Sequence, residues 1–244
     1  MELKQREVLI TGGGSGIGLS LAKRFVAAGS RVMICGRRVD VLEKARKEVS
    51  ELHVMQSDVS IRAEREHLLE RALSTLPRLS ILINNAGIQR RVKPIIEQDD
   101  TTGDEEEFRI NYFAPVALTK LFLPHLTAQA DSMIVNVTSG LAFSPLAFMP
   151  NYCATKAALH SWTLSLRHQL RHTSVKVVEM IPPKVNTDLG GKGLHDDGVP
   201  LEEYVGSAFQ NLCKGVTEFG FGSSEMLRSA SRANLNETFE RLNR

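Results

Sequence analysis

The chain has 244 residues, 42% of them apolar and 24% charged, with a formal net charge of +2. That composition is enough to bury a core of globular size, and a charge so near balance gives no electrostatic case for a nucleic-acid partner. Cys35, Cys153 and Cys213 stand at unrelated spacings and form neither a disulfide framework nor a metal motif, which favours a reducing, cytoplasmic setting.

In chain order, Met1 to Glu7 carries mixed charges and lacks the long apolar centre of a secretory signal. Val8-Leu9-Ile10 reads as a buried strand, followed by glycines and a helical pattern through Leu19, Leu21, Ala22, Phe25 and Val26. Val32 to Cys35 is a second strand stopping at Gly36, and Asp40 is placed to N-cap the charged helix that follows. His53-Val54-Met55, Ile81-Leu82-Ile83, Met133 to Val137 and Val175 to Val178 supply four more strands. Helical patterns lie between them near 60–76, 104–130 and 151–172. The uncharged stretch from Ser132 to Thr155 contains too many prolines and polar groups for a membrane span. The expectation is one α/β domain over 1–244, a parallel sheet with helices on both faces and ligands beyond the carboxyl ends of its strands.

Thr11-Gly12-Gly13-Gly14-Ser15-Gly16-Ile17-Gly18 lies between the first strand and the first helix. Glycines there let the backbone turn tightly and approach a pyrophosphate at the positive end of a helix. Asp58-Val59 follows the third strand, and Asn84-Asn85-Ala86-Gly87 follows the fourth. Asn111, Ser139, Tyr152-x-x-x-Lys156 and a proline-led run ending in Thr187 come after them. Over about residues 5–190 this set resembles the short-chain dehydrogenase/reductase family. Longer runs around Gly36, Gly140, Tyr152, His168 and Pro183 are similar to its DltE-type oxidoreductases. The resemblance implies a doubly wound Rossmann-type sheet in the order 3-2-1-4-5-6. Phe219-Gly220-Phe221-Gly222 leaves room for only a short seventh strand.

The cofactor is expected to be NADP(H), with NAD(H) as the alternative. Gly36 stands where an acid would hold the ribose 2′-hydroxyl of NAD, and Arg37 and Arg38 come next. A guanidinium binds a 2′-phosphate that a carboxylate would repel. The resemblance assigns cofactor contacts to Gly12, Ser15, Gly16, Ile17, Gly18, Arg37, Arg38, Asp58, Val59, Asn85, Ala86, Gly87, Tyr152, Lys156, Pro182, Val185 and Thr187.

Tyr152 and Lys156 are one helical turn apart and share a face, and Ser139 lies at the carboxyl end of the fifth strand. Moving a hydride to or from a carbonyl carbon requires a proton at its oxygen, which a tyrosine hydroxyl can exchange. Its free pKa of about 10 is high, and lowering it three units needs roughly 4 kcal/mol, which a close lysine ammonium would help to supply. Ser139 is expected to orient the substrate oxygen. By resemblance, Asn111 would support a proton relay. The reading is an oxidoreductase acting on a small alcohol or carbonyl compound.

Two departures from the family stand out. Pro183 replaces a usual glycine and stiffens the loop after the sixth strand, and the last quarter lacks a full final strand. The second departure favours a homodimer through the two long helical segments over a tetramer. A lid is expected near 188–215 and a polar helical segment over 223–244, with Met226, Leu227, Leu235, Phe239 and Leu242 able to dock on the body or a subunit. Leu141–Pro150 and Asp188–Tyr204 would frame the substrate, with Phe143, Leu146, Phe148 and Met149 as an apolar wall. His168 and His172 are spaced as metal ligands, but no third ligand accompanies them, and no metal site is expected. Arg90, Arg91 and Lys93, and the acids Asp99, Asp100 and Asp104 to Glu107, read as surface charge. Two rivals are weaker. An epimerase of the extended branch needs a larger substrate domain. A non-catalytic NAD(P)-binding redox sensor would often lack the tyrosine or lysine that this chain keeps.

Overall fold

The computed structural model describes residues 3–97, 102–231 and 234–243. Its seven strands are β1 (Glu7–Thr11), β2 (Arg31–Gly36), β3 (His53–Gln56), β4 (Leu79–Asn84), β5 (Ser132–Val137), β6 (Val175–Met180) and β7 (Glu218–Phe219). All neighbouring pairs are parallel, and the order is β3-β2-β1-β4-β5-β6-β7. The expected order is therefore met, and the seventh strand is a two-residue edge on β6. Strand order reverses between β1 and β4, which opens a crevice above their carboxyl ends.

The strands are near-continuous apolar runs because both sheet faces are covered. Side chains alternate along β1. Val8 and Ile10 pack with α1 (Gly16–Ala27), α2 (Val39–Glu48) and α7 (Leu201–Lys214), through Leu21, Phe25, Leu42, Tyr204 and Leu212. Leu9 points the other way, into a layer with α3 (Arg62–Thr75), α5 (Ala114–Thr127) and α6 (Pro150–Gln169), through Leu68, Phe122 and Leu166.

Three local expectations change. Asp40 does not cap α2; it sits in the first turn, with Arg38 at the cap position. The pattern expected as one helix over 104–130 is broken into α4 (Thr102–Phe108), a π-helical turn at Arg109–Phe113, and α5. The segment expected as a lid divides into a turn-rich stretch and the regular helix α7, whose Val205 and Leu212 are buried. Asp99 and Asp100 lie outside the described residues.

The C-terminal segment forms α8 (Ser223–Ser229) and α9 (Leu235–Leu242) and docks on the body. Ser224 Oγ donates to the Ile181 carbonyl at 2.6 Å, and Asn243 Nδ2 donates to the Pro145 carbonyl at 3.1 Å. No helix among the described residues is long and apolar enough to cross a membrane. Among those residues no group of His, Cys, Asp and Glu side chains could hold a metal ion, and His168 and His172 are both exposed.

Candidate active site

A cleft of about 1020 Å³ lies along the carboxyl edge of the sheet, over the crevice between β1 and β4. The glycine turn forms one wall. Gly12 has φ +64°, and a Cβ on it would come within 2.8 Å of the Ala86 Cα, so the turn and the loop after β4 meet backbone to backbone. Thr11 ties them: its Oγ1 accepts from the Asn85 and Ala86 amides, each at 3.1 Å. Asn85 Nδ2 returns the link to the Thr11 and Gly12 carbonyls at 3.0 and 3.1 Å.

Helix α1 starts at Gly16 with no capping side chain on Ser15 and no acid in its first turn. Its N-terminal amides and dipole are thus directed at the cleft without a resident carboxylate, as a phosphate requires. Thr187 closes the turn from the far side, its Cγ2 lying 3.3 Å from where a Gly16 Cβ would stand. These residues fit a dinucleotide.

Of the residues singled out from sequence, Gly12, Ser15, Gly16, Ile17, Arg37, Arg38, Asp58, Val59, Asn85, Ala86, Gly87, Tyr152, Lys156, Pro182 and Thr187 all line this cleft. Gly18, Asn111, Ser139 and Val185 are not part of its lining. Gly18 is a packing position, since a Cβ would lie 2.5 Å from the Gly12 carbonyl oxygen. Val185 is buried and bridges to Val199.

Ser139 and Asn111 stand behind the lining. Ser139, which follows β5, is buried, and its Oγ accepts from the Leu141 amide at 3.1 Å. That hydroxyl is near enough to the Tyr152 phenol to favour its ionised form. Lys156 lies on the same face of α6, its Nζ 5.7 Å from the centre of the Tyr152 ring and donating to the Val137 carbonyl at 2.8 Å. Asn111 sits in the π-helical turn, a distortion frequent at functional sites. Its Nδ2 donates to the Ile88 carbonyl at 2.9 Å and to Thr155 Oγ1 at 3.1 Å, and its Oδ1 accepts from the Ile88 amide at 2.9 Å. Gly87 keeps the passage open, since a Cβ there would stand 3.3 Å from Asn111 Oδ1 and 3.6 Å from Lys156 Nζ.

Burial is the largest influence on both titratable groups. It raises the Tyr152 phenol, against the lowering effect of the Ser139 hydroxyl, and it lowers the Lys156 ammonium to about 8. The expectation of a phenol drawn down by Lys156 is therefore not what the protein's own groups produce.

The expected apolar wall is partly assembled. Leu146 and Met149 pack with Tyr152 and Cys153, whereas Phe143 turns onto the His160 ring at 4.6 Å and Phe148 lies beneath Arg91. Cys153 is a buried packing residue.

A buried network under the site is invisible in sequence spacing. Glu179 on β6 is fully buried; it accepts from Thr138 Oγ1 at 2.7 Å, and His160 Nδ1 lies 3.0 and 2.9 Å from its two oxygens. Glu106, expected to be plain surface charge, instead joins Arg37 and Arg90 at the cleft. For Glu179 the available signal is a lone acid within an apolar strand run.

A family model described as short chain dehydrogenase matches residues 6–197. The chain belongs to the short-chain dehydrogenase family. This short-chain dehydrogenase is 47% identical over 248 residues to an uncharacterized oxidoreductase, DltE, of Bacillus subtilis (strain 168), with 100% of this chain and 98% of the relative covered. The solved 3-ketoacyl-(acyl-carrier-protein) reductase from Brucella melitensis, complexed with NADH, is 25% identical with a TM-score of 0.82, covering 91% of this chain and 99% of its own. A short chain dehydrogenase from Burkholderia cenocepacia J2315, in complex with NADP, shares the fold at a TM-score of 0.85 and 24% identity, with 98% and 99% covered. Family and relatives together make this short-chain dehydrogenase an oxidoreductase acting with a nicotinamide cofactor.

Proposed function

We propose that the protein is an NADP(H)-dependent reductase of a small carbonyl compound, with Tyr152 as the proton donor. The observation that carries this reading is the placing of Tyr152 and Lys156 on one face of α6 in the lining of the glycine-walled cleft, with the buried Ser139 close behind them. A bound nicotinamide supplies or accepts the hydride. The protein's residues handle the oxygen. The phenol is protonated at neutral pH, and burial raises it further; that is the form that gives a proton to a carbonyl oxygen being reduced. Ser139 holds that oxygen toward Tyr152. Lys156, fixed by the Val137 carbonyl, places an ammonium beside the phenolate left behind. Asn111 braces the loop after β4 through Ile88 and supports the relay that returns a proton from solvent.

Preference for NADP(H) rests on Arg37 and Arg38, which line the cleft where no carboxylate occupies position 36. The phosphate turn would engage Gly12, Ser15, Gly16, Ile17 and Thr187, and Asp58, Val59 and Asn85 to Gly87 would frame the adenosine and ribose. The exposed Phe113 and Leu164, on the two long helical segments, support a homodimer.

Titration of the purified protein with NADPH and NADH, alongside Arg37→Ala, tests the cofactor reading. The expected result is tighter binding of NADPH, with an advantage of about tenfold or more lost in the variant. Equal affinity for the two cofactors refutes the arginine reading, and failure to bind either refutes the function.

A further inference from the structure

Glu106 forms a link that the proposed reaction does not use. Arg37 Nη1 lies 3.0 Å from Glu106 Oε1, and Arg90 Nη2 contacts the other carboxylate oxygen, Oε2. Arg37 follows β2 and Arg90 lies in the loop after β4, while β1 and its glycine turn lie between those strands. The chain Arg37–Glu106–Arg90 therefore ties the two flanks of the cofactor crevice together, and all three residues line the cleft. Both ends are anchored: Gln56 Nε2 donates to the Arg37 carbonyl at 3.1 Å, and the Arg90 amide donates to Glu107 Oε1 at 3.1 Å.

We infer that Glu106 is a specificity-determining residue that restrains the preference for NADP(H) by competing with the 2′-phosphate for Arg37. This rests on the cofactor reading above. The acid that many dinucleotide folds carry at the end of the second strand is absent at Gly36, and α4 supplies a carboxylate from another element. Whenever Glu106 holds Arg37, a guanidinium that would fork onto a phosphate is neutralised, and a like charge faces the incoming dianion. NADH, with a hydroxyl at that position, does not have to displace the carboxylate.

The partners are partly exposed, with side-chain accessibilities of 48% for Arg37 and 34% for Glu106. The competition is thus that of a solvent-screened ion pair, a factor of about two to five in affinity. NADPH and NADH dissociation constants are measured for the full chain, Glu106→Gln, Arg37→Ala and the double variant, with thermal melts to verify folding. The expected outcome is NADPH binding about two- to fivefold tighter in E106Q, NADH unchanged, and no NADPH gain from E106Q once Arg37 is alanine. An E106Q variant that leaves NADPH unchanged, or that tightens both cofactors alike, overturns the inference while the R37A loss still upholds the cofactor reading. A gain that persists in the R37A background also overturns it and assigns the phosphate to Arg90. If R37A loses no NADPH affinity, the cofactor reading fails and this inference falls with it.

Discussion

Glu179→Gln tests whether the buried pair beneath the site is held by charge. Glu179 is fully buried, and His160 retains 21% side-chain accessibility. Both carboxylate oxygens face the His160 Nδ1, and one also accepts from Thr138, so the burial cost is met by good geometry. Glutamine keeps the shape and the Thr138 bond but removes the charge. A hydrogen bond to a charged group contributes about 1.5–3 kcal/mol against about 0.5–1.5 for a neutral one, so the variant should lose roughly 1–2 kcal/mol. For a chain of this size that is about 3–6 °C in the melting midpoint.

The pH dependence gives that loss a signature. His160 is raised above its ordinary value of 6.5, chiefly by its hydrogen bond to Glu179; Glu218 also raises it, while desolvation and Arg167 lower it. The folded chain therefore holds the proton more tightly than the unfolded chain, each tenfold difference being worth about 1.4 kcal/mol. The stabilisation is complete below pH 6.5 and is lost as pH rises through the folded value. Melting curves of the two proteins should differ most near pH 6 and converge toward pH 9. A gap of equal size at both pH values, or a variant at least as stable as the parent at pH 6, refutes the reasoning.

Two further outcomes are expected. Tyr152→Phe removes the proton donor and should slow turnover by about 10²–10⁴-fold on any carbonyl compound for which the parent oxidises NADPH; NADPH affinity should stay within about twofold, and undiminished turnover would remove Tyr152 from the mechanism. Phe113→Glu puts a charge on an aromatic that is 55% exposed, so light scattering after gel filtration should show a dimer for the parent and a monomer for the variant. The same mass for both would place the interface elsewhere or exclude it.

Most of the architecture could be read from local pattern. Val8 to Ile10, Ile81 to Ile83 and Met133 to Val137 announce strands because both faces of a covered sheet must be apolar, and the glycine run after β1 marks the crevice. The four-residue spacing of Tyr152 and Lys156 puts both on one face of α6, since that spacing is a helical turn. Local pattern was weaker where neighbours compete for the backbone. Asp40 has the chemistry of a cap, yet the chain enters α2 two residues too early for it to act, with Arg38 at the cap position. The π-helical turn that seats Asn111 depends on bonds to Ile88 and Thr155, residues 23 and 44 positions away.

Charge was the least legible property, because its effect depends on long-range partners and on burial. Lys156 stands one turn from Tyr152 in the sequence, which predicts an acidified phenol. Only the packed structure, by removing both side chains from water, makes desolvation the larger effect. Glu106 likewise reads as one acid in a solvated run until the fold brings Arg37 and Arg90 to it from 69 and 16 residues away. Sequence by itself determined the family, the sheet and the identity of the chemical groups, since these follow from periodicity and motif spacing. Tertiary structure alone decided which charges meet and which are desolvated, because those energies depend on distances in space and on the exclusion of water.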